Sequence, residues 1–298
     1  MLLAAALLSA CGEQEPAATT AAPEESSAPE TTAAETEAET PSIPETTEPE
    51  TAPQTELERL EEAYSKVTWR VMKDKYAWGC NEYEAKGISK GGIVFYGSSG
   101  FTSWSKRFGN DKDLEDMIVA DDGTKICVNH GLGGTTVHEL CYFYDRMVKA
   151  YEPKALVISS FINDITKGYQ NDKIMICLEY LCEMTRTDFP GINIYITDYR
   201  PNAKFVGQYD LDRRFSLNQL VKEYCDAHDD CTFIELSKEP LYYKDAASVG
   251  TYMNVNTDIF LDDLLHLKPE GYVELAKVYK RVLAKELASS EGFIPAKK

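Results

Sequence analysis

The chain has 298 residues and a formal net charge of −18, an acidity that leaves no electrostatic footprint for nucleic acid. Twelve of those charges are Glu residues in 12–56, a stretch of Thr, Ala, Pro, Ser and Glu with no Lys, Arg or aromatic residue. Such a segment cannot bury enough apolar surface to offset the entropy of ordering it. It reads as a disordered linker, and residues 57–298 are left as one mildly acidic globular domain.

In chain order, residues 1–10 form an apolar run, half the roughly 20 residues a bilayer-spanning helix needs. The run ends in Leu8-Ser9-Ala10-Cys11. This tetrapeptide resembles a bacterial lipobox, which makes residues 1–11 a lipoprotein signal peptide and Cys11 the lipidated residue. The Lys or Arg that normally precedes such a run is missing. The expected location is the extracellular face of a bacterial membrane, with a lipid anchor as the sole membrane contact. Fully extended at about 3.1 Å per residue, the linker would reach roughly 140 Å.

From there, periodicity predicts helices alternating with short apolar strands. A helix is expected over 57–76, strands over 93–96 and 125–128, and a helix over 136–150 with Val137, Leu140, Met147 and Val148 on its apolar face. Then come a strand over 155–159, a helix over 172–185, a strand over 193–196, a helix over 217–227, a strand over 232–235 and a helix over 269–287. This alternation implies an α/β fold, a parallel sheet covered by helices on both faces. In such folds ligands gather where strand carboxyl ends open into loops.

Three of those ends carry unusual residues. The first predicted strand runs into Gly97-Ser98-Ser99-Gly100, the second into Asn129-His130-Gly131-Leu132-Gly133-Gly134-Thr135, and the third into Ser160-Phe161-Ile162-Asn163-Asp164. Asp263-Leu264-Leu265-His266 stands just before the last helix. A serine hydroxyl attacks poorly until a base removes its proton, and a histidine with a reference pKa near 6.5 suits that task. Asp263, three residues before His266, is spaced to share a face with it, and a carboxylate there would set the imidazole tautomer.

In this order the motifs resemble the SGNH/GDSL-like hydrolases, in a bacterial acylhydrolase branch whose first block reads Gly-Ser-Ser. The likeness runs from about Ile93 through His266. It implies a three-layer α/β/α, flavodoxin-like sandwich with Ser99 as nucleophile and Asp263 and His266 completing a triad. It further implies an oxyanion hole formed by the N–H groups of Ser99 and Gly134 and the amide of Asn163. Two positions depart from the family pattern: Ser98 replaces its Asp, and Phe161 replaces the glycine that opens the third block, where it would crowd the acyl pocket or reshape the loop carrying Asn163.

Trp104, His130, Phe161 and Tyr199 are the candidate pocket residues. Trp104 and Tyr199 have a structural reading equally open to them, and His130 a reading as a solvated loop residue. Tyr199-Arg200-Pro201 follows the fourth strand at the same end. His138 and His228 fall on predicted helices. The four histidines are too scattered for a metal site, and no cofactor is expected. Cys127, Cys141 and Cys177 read as core thiols, and Cys225 and Cys231 flank a turn short enough for either a bridge or two free thiols. The expected reaction is hydrolysis of carboxylic esters through an acyl-enzyme, with short acyl groups on carbohydrate or envelope glycan as substrate. A lysophospholipase or thioesterase, or a non-catalytic glycan-binding module on the same fold, is the alternative.

Overall fold

The computed structural model describes residues 53–68, 73–205 and 211–297. Cys11 and the linker up to residue 52 lie outside the described residues. Residues 1–51 and 52–298 separate as two units, and every described residue belongs to the second.

The described chain runs in the order α1 (Glu56–Ser65), α2 (Lys73–Glu84), β1 (Ile93–Gly97), α3 (Ser99–Thr102), α4 (Leu114–Met117), β2 (Cys127–Gly131), α5 (Val137–Met147) and β3 (Ala155–Ser159). It continues through α6 (Ile162–Thr166), α7 (Asn171–Asp188), β4 (Asn193–Thr197), α8 (Leu211–Asp226), β5 (Cys231–Ile234), α9 (Pro269–Val282) and α10 (Ala284–Leu287). The five strands pair in parallel in the order β2-β1-β3-β4-β5.

Alternate residues of each strand enter different cores, as a pleat with period two requires. Val94 and Tyr96 of β1, Leu156 and Ile158 of β3, and Ile194 and Ile196 of β4 join one cluster with the inner faces of α5, α7 and α8. Ile93 and Phe95, Ala155 and Val157, and Tyr195 join the other, with Phe101, Leu114, Tyr272, Leu275 and Tyr279. Both faces are thus covered, and the expected α/β/α sandwich is what the chain forms. Each fully buried aliphatic or Phe side chain adds about 1.5–3 kcal/mol to that core.

Several expected boundaries move. The helix anticipated over 57–76 stops at Ser65, and the next described helix, α2, begins at Lys73. The second strand lies two to three residues later than expected, so Asn129 and His130 belong to β2. Their side chains are poor strand formers. At this sheet edge, however, the Asn129 N–H donates to Glu115 Oε1 at 3.1 Å and the Gly131 carbonyl accepts the Tyr83 hydroxyl at 2.7 Å. The last helix breaks at Leu283. Cys225 and Cys231 are free thiols, which decides between the two alternatives left open for them. Among the described residues no helix is long and apolar enough to cross a membrane.

Candidate active site

β1 delivers Ser99 to the carboxyl edge of the sheet. Gly97 closes the strand beside β3, where a Cβ would lie 2.1 Å from the Ser159 carbonyl oxygen. Gly131 does the same for β2, where a Cβ would lie 2.1 Å from the Thr102 backbone nitrogen. Only glycine lets α3 settle this closely onto the strand ends. Ser99 is therefore the first residue of a one-turn helix and is partly exposed, while Ser98 is buried behind it, its N–H bonded to the Ser159 carbonyl at 3.1 Å.

The loop after β2 turns immediately against Ser99. The Leu132 N–H donates to the Gly97 carbonyl at 2.8 Å, and a Cβ on Gly133 would stand 3.9 Å from Ser99 Cβ. Gly134 has φ 93°, a conformation natural to glycine. Thr136 then caps α5 in a capping box with Glu139.

The loop after β3 is tied to this one. Asn163 Nδ2 donates to the Thr135 carbonyl at 3.0 Å, and the Asp164 carboxylate accepts the Val137 N–H at 2.9 Å. Burial pushes the Asp164 carboxyl up to about 7, against the opposing pull of that backbone donor. Phe161, in the glycine position, holds a positive φ of 69° with ψ −36°, a sparsely populated backbone that costs about 1–3 kcal/mol. Its ring is wholly buried in the core. It neither crowds a pocket nor displaces Asn163 from the edge of the sheet.

Asp263 and His266 come together at the amino end of α9. His266 Nδ1 meets Asp263 Oδ2 at 2.5 Å, and Asp263 Oδ1 accepts the N–H groups of Leu265 and His266, both at 2.9 Å. Burial would raise the Asp263 carboxyl, but the His266 and Leu265 N–H groups and the imidazole outweigh it and hold it below the ordinary value. A carboxylate on Nδ1 keeps the proton there and leaves the lone pair on Nε2. That Nε2 is enclosed and has no partner among the described residues.

Arg200, just after β4, supports this loop. The buried guanidinium donates to the Leu265 carbonyl at 3.0 Å, and a Cβ on Gly100 would lie 4.0 Å from it. It thus spans the loop of His266 and the turn of Ser99. The Tyr272 hydroxyl donates to the Gly100 carbonyl at 3.2 Å, tying α9 to the same turn. A signal for Arg200 was present, since it follows β4 at the edge where the other loops gather.

The remaining pocket candidates require correction. Trp104 is fully buried, stacked on Tyr272, and its Nε1–H points to Met117 Sδ at 3.1 Å. His130 is neither solvated nor in the pocket: it is buried on β2 between Tyr83 and Tyr151, with Nδ1 2.6 Å from the Met147 carbonyl, and burial lowers its imidazole to about 4. Tyr199 is likewise core. With Phe161 these residues lie inside because their backbone positions, though near the edge, direct the side chains into the two cores. Open space lies elsewhere, in a cleft of about 1010 Å³ along β2 whose walls include Trp78, Thr102, Phe108 and Gly133. Among the described residues no group of three or more His, Cys, Asp or Glu could hold a metal.

A five-stranded parallel sheet in this order, with its polar loops gathered at one carboxyl edge, is a doubly wound α/β fold of the flavodoxin-like, three-layer kind. The sequence matches the model of the GDSL-like Lipase/Acylhydrolase family over residues 93–273, and the chain belongs to that family. A comparison with curated proteins finds no match. Solved structures share the fold. A protein described as an acylhydrolase from Bacteroides fragilis superposes with a TM-score of 0.55 at 20% identity, covering 74% of this chain and 99% of its own. A GDSL-like lipase from Bacteroides thetaiotaomicron gives 0.51 at 17%, covering 78% and 98%. An acetyl xylan esterase gives 0.50 at 16%, covering 64% and 98%.

Proposed function

We propose that the protein is a serine esterase that removes short acyl groups, acetyl above all, from carbohydrate. The observation that carries the reading is the state of His266: Nδ1 is clamped by Asp263, Nε2 is enclosed and unpartnered, and Arg200 links its loop to the turn of Ser99. Ser99 Oγ attacks the ester carbonyl as its proton passes to His266 Nε2, and the resulting imidazolium is stabilised by Asp263. The N–H groups of Ser99 and Gly134 and the Asn163 amide receive the oxyanion, each donor contributing about 3 kcal/mol to the barrier reduction. Collapse breaks the ester C–O bond, His266 returns the proton to the leaving alcohol, and water attacks the acyl-serine by the same route. Burial of the Phe161 ring in the core keeps it out of the space an acyl group would need and so supports this reading.

Labelling with an organophosphonate tests the nucleophile: the wild type should react and Ser99→Ala should not. Equal absence of labelling in both would overturn the reading. Nitrophenyl esters of increasing length test the acyl class. Preference for chains beyond about eight carbons would point to a lysophospholipase or long-chain thioesterase. We also propose that Cys11 anchors the chain by lipid at the outer face of a bacterial membrane. Fatty-acid labelling that survives Cys11→Ala would refute this.

A further inference from the structure

We infer that the cleft along β2 is the binding site for the sugar chain that carries the ester, with Trp78 and Phe108 as its stacking platforms. The inference rests on the esterase reading above and assigns the alcohol side of the substrate to named residues.

The cleft adjoins the nucleophile. Gly133 and Thr102 line it. A Cβ on Gly133 would lie 3.6 Å from Thr102 Oγ1 and 3.9 Å from Ser99 Cβ, so the wall of the cleft and the nucleophile's turn are in contact. Its volume of about 1010 Å³ stands at the top of the roughly 300–1,000 Å³ span of small-molecule sites. That is far more room than an acetyl group fills, and it suits the larger alcohol part.

The lining selects the chemistry. Eight of its twenty residues are charged, four basic and four acidic. Pairs such as Arg107 with Glu82 at 2.8 Å and Lys125 with Asp116 at 2.5 Å leave little surplus of either sign. An anionic polymer or headgroup would find no net attraction here. Apolar surface from Tyr76, Trp78, Tyr83, Phe108 and Leu132 lies beside these charges, so the cleft asks for a ligand with both polar and apolar faces. A neutral oligosaccharide fits both conditions, presenting hydroxyls to the charged groups and C–H faces to aromatic rings.

The aromatic rings are displayed rather than packed away. Trp78 on α2 is 57% exposed and Phe108 is 48% exposed. Arg107 lies between them, its guanidinium carbon 5.3 Å from the Trp78 ring centre and 5.8 Å from that of Phe108. Its pairing with Glu82 on α2 helps to fix the arrangement. Two large apolar rings, set on either side of Arg107 at the rim of the cleft, leave about half their surface open to a ligand.

The test compares wild type with Trp78→Ala and Phe108→Ala on 4-nitrophenyl acetate and on O-acetylated oligosaccharides derived from xylan, mannan and chitin. At least one oligosaccharide should be preferred by the wild type. The Trp78 variant should raise its KM by about tenfold, with kcat and the nitrophenyl ester rate unchanged, the pattern of lost ground-state binding remote from the reacting bond. In Ser99→Ala, the deacetylated form of that oligosaccharide should shift the tryptophan fluorescence, and Trp78→Ala in the same background should abolish the shift. An unchanged KM in the Trp78 variant, or no preference for any oligosaccharide over the nitrophenyl ester, would overturn the assignment. Failure of the esterase reading would look different: the wild type would hydrolyse no ester, while the fluorescence response would still decide the fate of the cleft.

Discussion

Two sets of loops reach the turn of Ser99, one directly and one through Arg200, and they are held in different ways. On one side, the loops after β2 and β3 are locked through buried polar groups: Asp164 on the first N–H of α5, Asn163 on the Thr135 carbonyl, Thr136 and Glu139 in a capping box. On the other, Asp263 and His266 sit on a partly exposed loop secured through its own backbone. The Leu264 carbonyl accepts N–H groups from Ala203 and Lys204, and the Leu265 carbonyl accepts Arg200. Donors that must meet an oxyanion gain from being immobile, so their supports belong to the folded core. The proposed base stands on a loop held by a few backbone and Arg200 hydrogen bonds, so replacing its side chains should cost the fold less. Chemistry and stability should therefore separate on one side and mix on the other.

The largest effect should come from the exposed side. Asp263→Asn should lower turnover about ten-thousandfold by permitting the wrong imidazole tautomer, while the thermal midpoint stays close to that of wild type. A large drop in the midpoint would show that the loop is structural after all. Asn163→Ala should lower kcat about a hundred- to a thousandfold and also cost a measurable amount of stability, because its amide secures the Thr135 carbonyl. An unchanged rate would remove Asn163 from the oxyanion hole.

The smallest effect sharpens the comparison through pH. Asp164 is raised to about 7 in the folded chain, well above about 3.9 for an unfolded Asp. The folded state therefore holds the proton more tightly, and this contribution is complete below the unfolded value and lost as pH rises through about 7. Asp164→Asn retains an acceptor for the Val137 N–H and should remove at least about 1 kcal/mol of the stability difference between pH 5 and pH 8, read from urea unfolding. His130 works in the opposite direction. Its imidazole is lowered to about 4, so its contribution is complete above about 6.5 and lost as pH falls through about 4. Subtracting the variant's profile from that of wild type isolates Asp164. An identical slope in both would mean the carboxyl does not titrate in this range.

How far these features could be read from sequence depends on burial. Strands β1, β3 and β4 announce themselves because both faces are buried and their residues run apolar with little interruption. β2 does not, because Asn129, His130 and Gly131 resemble a loop until Glu115 and Tyr83 are seen to satisfy its outer edge. α2 fully buries only Tyr76 and Cys80, while Trp78 faces outward and Ala77 and Tyr83 are half-buried, so no clean apolar stripe marks it. Ser99, Gly134, Asn163, Asp263 and His266 stand out in the sequence because their motifs follow one another at strand ends. The cleft does not, since whether Trp104 or Trp78 faces solvent depends on which element lies over it.

The pairing of Glu115 and Tyr83 with the rim of β2 has one more consequence. An uncovered strand invites a second chain to add itself to the sheet. Here a carboxylate and a phenol take two of its bonding positions, and both residues also line the cleft. Protection from self-association and the bed for the ligand are therefore made of the same two side chains. Neither can drift under selection for one purpose without being tested by the other.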